Sequence, residues 1–291
     1  ACRVIELKLG RRKPDDKDHF KNKRLKLAGP LLADLFRIAF RNLCRDIKYQ
    51  LERMGVKRQM ITVSAAVRPG IITERLQHAL ATGNWGRGRV GITQLLDRTN
   101  TVSTLSHLRR LQSPLSRSQP NFEARDLHPT HWGRLCPNET PEGSNCGLVK
   151  NLALAASTSV SVDPEKMKQN LYRMGVVPVQ ETNDALRISG AKVFVDGCLI
   201  GYCMAPQELV DELRRKRSKG EISTEVNVSY FSKLYGEREE IYVNCDEGRV
   251  RRPLIIVENG IPKLQPEHIE KIRSEEWTWD DLIKQVIMEY I

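Results

Sequence analysis

Residue types that bind metals or act as nucleophiles gather in one segment of this 291-residue chain, HPTHWGRLCPNETPEGSNC. It contains His128, His131, Cys136 and Cys146. Imidazole and thiolate are zinc ligands, but these spacings match neither the paired-cysteine patterns of structural zinc sites nor the HExxH motif. Pro129 also prevents the two histidines from sharing one face of a helix. A small metalloenzyme is therefore the least favoured of three possible functions.

The same segment is predicted to be a loop, because its prolines and glycines exclude a regular helix. Cys136 could act as a nucleophile beside a histidine, yet Pro137 follows it directly and no oxyanion-hole element is evident. A structural interpretation is also open, in which Trp132 fills a core and Glu142 pairs with an arginine. Residue types alone do not decide between these interpretations.

Two further segments combine arginines with features that suit phosphate binding. GNWGRGRVG, residues 83–91, carries Arg87 and Arg89 among four glycines, which allow a backbone to approach phosphates closely. It lacks the GK[ST] sequence of a P-loop, so the signal is weak by itself. STLSHLRRLQ predicts a helix capped by Ser103 with its leucines facing inward, which would turn Arg110 outward.

Positive charge is concentrated in the first half of the chain. Residues 1–150 hold 28 lysines and arginines against 13 aspartates and glutamates, whereas residues 151–291 hold 19 against 23. Such a concentration of positive charge attracts polyanions, nucleic acids above all. A soluble, lysine-rich surface that binds no polyanion would have the same composition. No run of eighteen apolar residues is present, so we expect no membrane partner. The seven cysteines form no CxxC pair, which favours a reducing, cytoplasmic location.

The helices and strands predicted along the sequence indicate an α+β fold. A long amphipathic helix is predicted from Pro30 to Gly55, and a shorter one from a Thr73 cap to Gly83. PEKMKQNLYRMG and PQELVDELRRKRSKG predict helices that begin with proline and end with glycine. AKVFVDGCLIGYC predicts a β-hairpin that turns at Asp196-Gly197. YVNCDEGRVRRPLIIVENG predicts a further pair of strands, and WTWDDLIKQVIMEYI an amphipathic helix.

Long stretches resemble the second-largest subunit of the multisubunit DNA-directed RNA polymerases. The similarity runs from GITQLLDRTNTVSTLSHLRRLQSPLSR through FEARDLHPTHWGRLCPNETPEGSNCGLVKNLAL. DKDHFKNKRLKLAGPLLADLF and ITERLQHALATGNWG resemble the archaeal and eukaryotic branch, most of all the archaeal one. The resemblance implies a lead-in segment at 1–13, a mixed helical and irregular fork domain at 14–156, and small α+β external domains at 157–291.

In that family the fork region lies over the active centre, beside the RNA–DNA hybrid and the downstream DNA. Residues 83–91 match the first fork loop and residues 115–122 match the second. The resemblance therefore implies nucleic-acid contacts from Arg87, Arg89, Gln94, Asp97, His107, Arg109, Arg110, Arg117, Arg125 and His128. Trp132 and Glu142 would be structural residues that orient the neighbouring loop.

The resemblance implies no catalytic or metal-binding residue and no bound cofactor in this segment. The catalytic Mg²⁺ of the complete enzyme would belong to the largest subunit, which with the other subunits, template DNA and the hybrid would be the partners. We thus expect a part of a nucleotidyltransferase that transcribes DNA and is inactive by itself. The alternative is a free-standing basic nucleic-acid-binding module, which should not expose apolar patches where other subunits dock.

Overall fold

The computed structural model describes residues 2–10, 14–57, 62–86, 88–118, 120–232 and 239–291. Its helices are α1 (Cys2–Lys8), α2 (Ala28–Val56), α3 (Val63–Ala66), α4 (Gly70–Thr82), α5 (Thr101–Leu108), α6 (Phe122–Arg125), α7 (Pro164–Arg173), α8 (Asp184–Ser189), α9 (Pro206–Ser218), α10 (Pro266–Arg273) and α11 (Trp279–Lys284). Its strands are β1 (Arg110–Gln112), β2 (Val149–Asn151), β3 (Ser157–Thr158), β4 (Val177–Pro178), β5 (Ala191–Val195), β6 (Cys198–Cys203), β7 (Asn227–Phe231), β8 (Glu240–Asn244), β9 (Val250–Arg251), β10 (Pro253–Ile255), β11 (Val257–Glu258), β12 (Ile261–Pro262) and β13 (Met288–Tyr290). This mixture confirms the predicted α+β class.

The chain forms two compact units, and neither is continuous in sequence. One comprises Ala1–Leu25, Phe122–Glu139 and Leu152–Ile291, and the other comprises Lys26–Asn121 and Thr140–Asn151. The first holds 30 lysines and arginines against 30 aspartates and glutamates, whereas the second holds 17 against six. We call them the neutral unit and the basic unit, since the whole net charge of +11 belongs to the second. The predicted domain boundary at residue 156 stays a prediction.

The basic unit is built on the long helix α2, which packs against α4. Leu35, Ala79 and Trp85 form its buried core. The indole Nε1 of Trp85 donates a hydrogen bond of 2.8 Å to the carbonyl of Leu31. This bond fastens the loop that follows α4 to the first turn of α2.

The ends of these two helices agree only partly with the sequence prediction. α4 ends at Gly83 as predicted, with a φ of 72°. A Cβ at this position would lie 2.6 Å from the carbonyl oxygen of Thr93, so the close approach as well as the backbone angle requires glycine. α4 begins at Gly70, however, and the predicted Thr73 cap is wrong. α2 runs past Gly55 to Val56.

The helix predicted over STLSHLRRLQ ends early. α5 stops at Leu108, and its cap is Asn100, whose side chain accepts a hydrogen bond of 2.7 Å from the N–H of Ser103. The following residues form β1, which pairs with β2 in antiparallel register. Leu105 is 55% exposed, so the predicted inward stripe of leucines is also wrong. Arg110 is indeed exposed, but because it lies on a strand rather than on a helix.

The neutral unit contains a five-stranded sheet in the order β4-β6-β5-β8-β7. β5 and β8 are parallel, and the other pairs are antiparallel. Residues of α7 and α9 join the inward side chains of the sheet in one buried core, which includes Leu171, Val193 and Leu213. The predicted hairpin is confirmed: Asp196 and Gly197 both have positive φ, at 45° and 80°. The two predicted helices that begin with proline, α7 and α9, are confirmed as well.

The end of the chain differs from its prediction. The strands in YVNCDEGRVRRPLIIVENG do not pair with each other: β8 lies between β5 and β7, β9 pairs with β3, and β10 pairs with β13. The terminal helix ends at Lys284, because Val286 adopts a φ of 56° and the next residues form β13. None of the described helices combines the length and the apolar character needed to cross a membrane.

Candidate nucleic-acid interface

The first glycine-rich loop is held against α2 by one of its two arginines. The guanidinium of Arg89 lies 3.2 Å from the carboxylate of Asp34. Hydrogen bonds from Lys26 and Arg89 hold the pKa of Asp34 below its usual value. Arg89 is still 44% exposed at its side chain, so it can reach solvent from a fixed position. Arg87 lies outside the described residues.

Three of the predicted site residues are brought together in the basic unit: Gln94, Asp97 and His107. The Nε2 atom of His107 lies 2.9 Å from Oε1 of Gln94, and its Nδ1 atom accepts a hydrogen bond of 3.1 Å from the N–H of Asp97. Because Nδ1 is an acceptor, we assign the ring proton to Nε2, which donates to Gln94. The imidazole thus connects the two ends of the 94–97 segment.

The Asp97 carboxylate accepts its hydrogen bonds from neighbouring residues of the basic unit. It accepts hydrogen bonds from the hydroxyl of Ser103 and from the N–H and hydroxyl of Thr99, the latter two at 2.9 and 2.7 Å. These donors, that of Ser103 foremost, lower the pKa of Asp97 to about 2. The carbonyl of Asp97 also accepts a hydrogen bond of 2.6 Å from the hydroxyl of Thr104. Sequence analysis did not identify these partners, although the spacing from Asp97 to Thr99 is that of an Asx turn.

The arginines that follow this network point toward solvent to different degrees. Arg109 caps the end of α5 and is half-buried, whereas Arg110, on β1, and Arg117, in the loop that follows it, are exposed. The backbone of Arg110 is fixed by pairing with Asn151 on β2. Its guanidinium forms no ion pair with any carboxylate in the described part of the chain. An exposed guanidinium in a strongly basic unit is suited to bind a phosphate.

Arg125 and His128 belong to the neutral unit and are half-buried. His128 Nε2 lies 2.9 Å from Oδ2 of Asp16, and its Nδ1 accepts a hydrogen bond of 3.2 Å from the N–H of Thr130. Hydrogen bonds from the Asp18 N–H and from His128 keep the pKa of Asp16 low. His128 therefore fastens residue 16 to the loop, and its contact with nucleic acid stays a prediction.

The predicted structural roles in this loop are not those observed. Trp132 is 78% exposed, so the expectation that it fills a core is wrong. Glu142 is exposed, and no described arginine pairs with it. Each side chain lies at the end of a short 3₁₀ turn: Trp132 follows Pro129–His131, and Glu142 precedes Gly143–Asn145.

An arginine that the sequence analysis did not single out, Arg134, holds this loop through backbone carbonyls. Its Nε atom donates to the carbonyl of Val250 at 3.0 Å, and its terminal nitrogens donate to the carbonyls of Thr130 and Ile291, each at 3.2 Å. Burial and the neighbouring Arg252 lower the pKa of Arg134. No sequence signal could have identified this role, since two of its partners are backbone carbonyls more than a hundred residues away.

The candidate metal ligands do not form a metal site. His131 is buried, and its ring meets that of Phe20 edge-on at 5.3 Å. Cys136 is half-buried and Cys146 is exposed. Across the described ranges, no three histidine, cysteine, aspartate or glutamate side chains lie in an arrangement that could hold an ion.

Three family models match the sequence. The models described as RNA polymerase Rpb2 domains 2, 3 and 4 match residues 1–26, 94–158 and 193–258, respectively. The second of these ranges includes the Gln94–Asp97–His107 network and the arginines after it.

The similar proteins are all named as subunits of a DNA-directed RNA polymerase. The DNA-directed RNA polymerase subunit Rpo2 of Saccharolobus solfataricus is 55% identical over 300 residues, which cover 99% of this chain and 26% of that protein. Subunit Rpo2N of Halobacterium salinarum is 62% identical over 177 residues, 60% of this chain and 34% of its own length. The RNA polymerase II subunit RPB2 of Meyerozyma guilliermondii is 39% identical over 319 residues, 99% of this chain and 25% of its own. The chain thus spans about a quarter to a third of these relatives.

Proposed function

Since the chain belongs to the family of second-largest subunits of multisubunit DNA-directed RNA polymerases, on its archaeal side, we propose that it forms part of an enzyme that synthesises RNA on a DNA template. Its partners would be the largest subunit and the other polymerase subunits. The catalytic Mg²⁺ would be held by the largest subunit. The role of this chain would be to bind the template DNA and the RNA–DNA hybrid beside the active centre.

The observation that carries this proposal is the exposed Arg110 within the basic unit. Its backbone is fixed by the β1–β2 pair, while its guanidinium is left available for an external anion. Arg117 and Arg89 lie in loops of the same unit, which holds 17 basic residues against six acidic ones. Contacts from arginine to phosphate fix the position of a nucleic acid without reading its sequence, as transcription of any template requires.

Exposed apolar side chains favour a part of a larger assembly over the free-standing module. Leu32, Phe36 and Phe40 follow one another at four-residue intervals along α2 and are 45%, 48% and 50% exposed. The rings of Phe36 and Phe40 stack at 5.9 Å, so they form one continuous surface. A monomeric module would not leave such a surface in water.

The nucleic-acid role is tested by the salt dependence of binding. In the assembled polymerase, Arg110→Ala should weaken retention of an RNA–DNA hybrid equally for unrelated sequences. It should also lower the slope of log Kd against log salt concentration by about one, because one phosphate contact is lost. Arg173→Ala, which removes an exposed arginine from the end of α7 in the neutral unit, is the matched control. An unchanged slope in Arg110→Ala would contradict the proposed contact.

Membership in an assembly is tested separately by purification of a tagged copy from its source cells. We expect a particle of several hundred kilodaltons that extends an RNA primer on DNA. A monomer of the chain's own mass without associated RNA synthesis would favour the free-standing module.

A further inference from the structure

We propose that Gln94, Asp97 and His107 are positioning residues, which hold Arg110 toward the nucleic acid but do not touch the nucleic acid themselves. This inference rests on the proposed function of the basic unit. It divides the predicted contact residues into two groups with different roles. The side chains that look most suited to recognition would act within the protein, and the exposed guanidinium would make the contact.

The first argument is that the polar atoms of the three side chains are already engaged. Both ring nitrogens of His107 have partners in the 94–97 segment. Gln94 receives the His107 proton at Oε1, and its Nε2 donates to the carbonyl of Gly91 at 3.0 Å. The donors from Ser103 and Thr99 surround the Asp97 carboxylate. Contact with a nucleic acid would have to replace these short internal bonds.

The second argument is that the network attaches on both sides of Arg110. His107 lies three residues before Arg110, in the last turn of α5. Gln112 lies two residues after it, at the end of β1, and its Oε1 atom is 3.5 Å from Nε2 of Gln94. One side chain, that of Gln94, thus reaches both the helix and the strand. The junction between them, which carries Arg110, is fixed at both ends.

The third argument is electrostatic. A carboxylate that faced the phosphates would repel them, whereas a carboxylate turned toward the first turn of α5 stabilises that end of the helix. Ser103, whose hydroxyl and N–H bind Asp97 and Asn100, is the third residue of α5. The charge of Asp97 is therefore better explained by its stabilisation of the first turn of α5 than by direct contact with nucleic acid.

The test is a double-mutant cycle in the assembled polymerase, with the dissociation rate of an RNA–DNA hybrid as the readout. Asp97→Asn and Arg110→Ala should each raise the rate about tenfold, the size expected for one hydrogen bond to a charged group. If Asp97 acts through Arg110, the double variant should dissociate within twofold of Arg110→Ala alone. A rate near the product of the two effects, about a hundredfold, would overturn the proposal.

Conservative replacement of His107 provides a second test that does not depend on Asp97→Asn folding correctly. His107→Asn keeps an acceptor at the position of Nδ1, whereas His107→Phe keeps the ring volume and loses both hydrogen bonds. We expect dissociation within threefold of the parent for His107→Asn and about tenfold faster for His107→Phe. Equal rates for the two variants would overturn the proposal.

The two proposals fail in different ways. If Arg110→Ala has the dissociation rate and the salt slope of the parent, the proposed phosphate contact is wrong, and the positioning role falls with it. If Arg110→Ala behaves as expected but the effect of Asp97→Asn multiplies with it, only the positioning role is wrong.

Discussion

The neutral unit buries three of its arginines, whereas every described arginine of the basic unit is exposed or half-buried. Arg217, Arg249 and Arg251 of the neutral unit are 6%, 8% and 8% exposed. Arg251 donates to the carboxylate of Glu225 at 2.9 Å, and Arg249 donates to the carbonyl of the same residue at 2.5 Å. Burial, with the repulsion of nearby arginines, lowers the pKa of Arg217 to about 10.

This contrast shows that the number of arginines does not identify a nucleic-acid surface. Both units are rich in them, but in the neutral unit the acidic residues equal the basic ones in number. In the basic unit the core is a small apolar cluster around Trp85, and most of the positive charge faces solvent. The two units should therefore respond to different substitutions.

The largest effect is expected from the apolar core of the basic unit. Trp85→Ala should lower the free energy of unfolding by about 4 kcal/mol, because it empties a buried site and removes the bond to the Leu31 carbonyl. Trp132→Ala, at the exposed tryptophan of the neutral unit, should change it by less than about 1 kcal/mol. Urea unfolding of the two variants checks this difference. Similar losses for both would contradict the observed burial.

A smaller loss of stability is expected when a buried arginine of the neutral unit is replaced. Arg251→Met should lower the free energy of unfolding by about 3 kcal/mol, since it leaves the partly buried carboxylate of Glu225 without its charged partner. Arg41→Met, at an exposed position of α2 in the basic unit, should stay within about 0.5 kcal/mol of the parent. Thermal unfolding of the matched pair is the measurement. A larger loss of stability in Arg41→Met than in Arg251→Met would contradict the difference between the two units.

The smallest effect concerns the titration of Asp97. Ser103→Ala removes the leading cause of its low pKa, so the pKa should rise from about 2 toward the ordinary value of 3.8. A depressed pKa contributes stability above the unfolded pKa, and that contribution is lost as the pH falls through the folded value. In Ser103→Ala this contribution should therefore be smaller, and its loss should be complete at a higher pH. Carboxyl NMR titration measures the shift, and an unmoved pKa would contradict the assigned hydrogen bond.

The elements that depend on local signals could be predicted from the sequence. Asp196-Gly197 provides the turn of the hairpin, and the prolines at the start of α7 and α9 and the glycine after α4 mark helix ends. These residues act through their own backbone preferences, so no distant partner is needed.

Elements that depend on distant partners could not be predicted. Arg110–Gln112 reads as a continuation of a helix, but its hydrogen bonds go to Val149–Asn151, about forty residues away. Met288–Tyr290 likewise pairs with Pro253–Ile255. At the candidate site, the resemblance placed Gln94, Asp97 and His107 in one region, whereas their mutual hydrogen bonds appear only in the fold.

The central claim is that the surface of the basic unit around Arg110 lies against nucleic acid in the proposed polymerase, whereas α7 of the neutral unit does not. Leu115, in the loop after β1, and Tyr172, on α7, are similarly exposed at 42% and 38%, and each can be replaced with a photo-crosslinking phenylalanine derivative. On illumination of a complex with labelled RNA and DNA, we predict that the label transfers from position 115 and not from position 172. Equal transfer from both positions, or transfer from position 172 alone, would contradict the account.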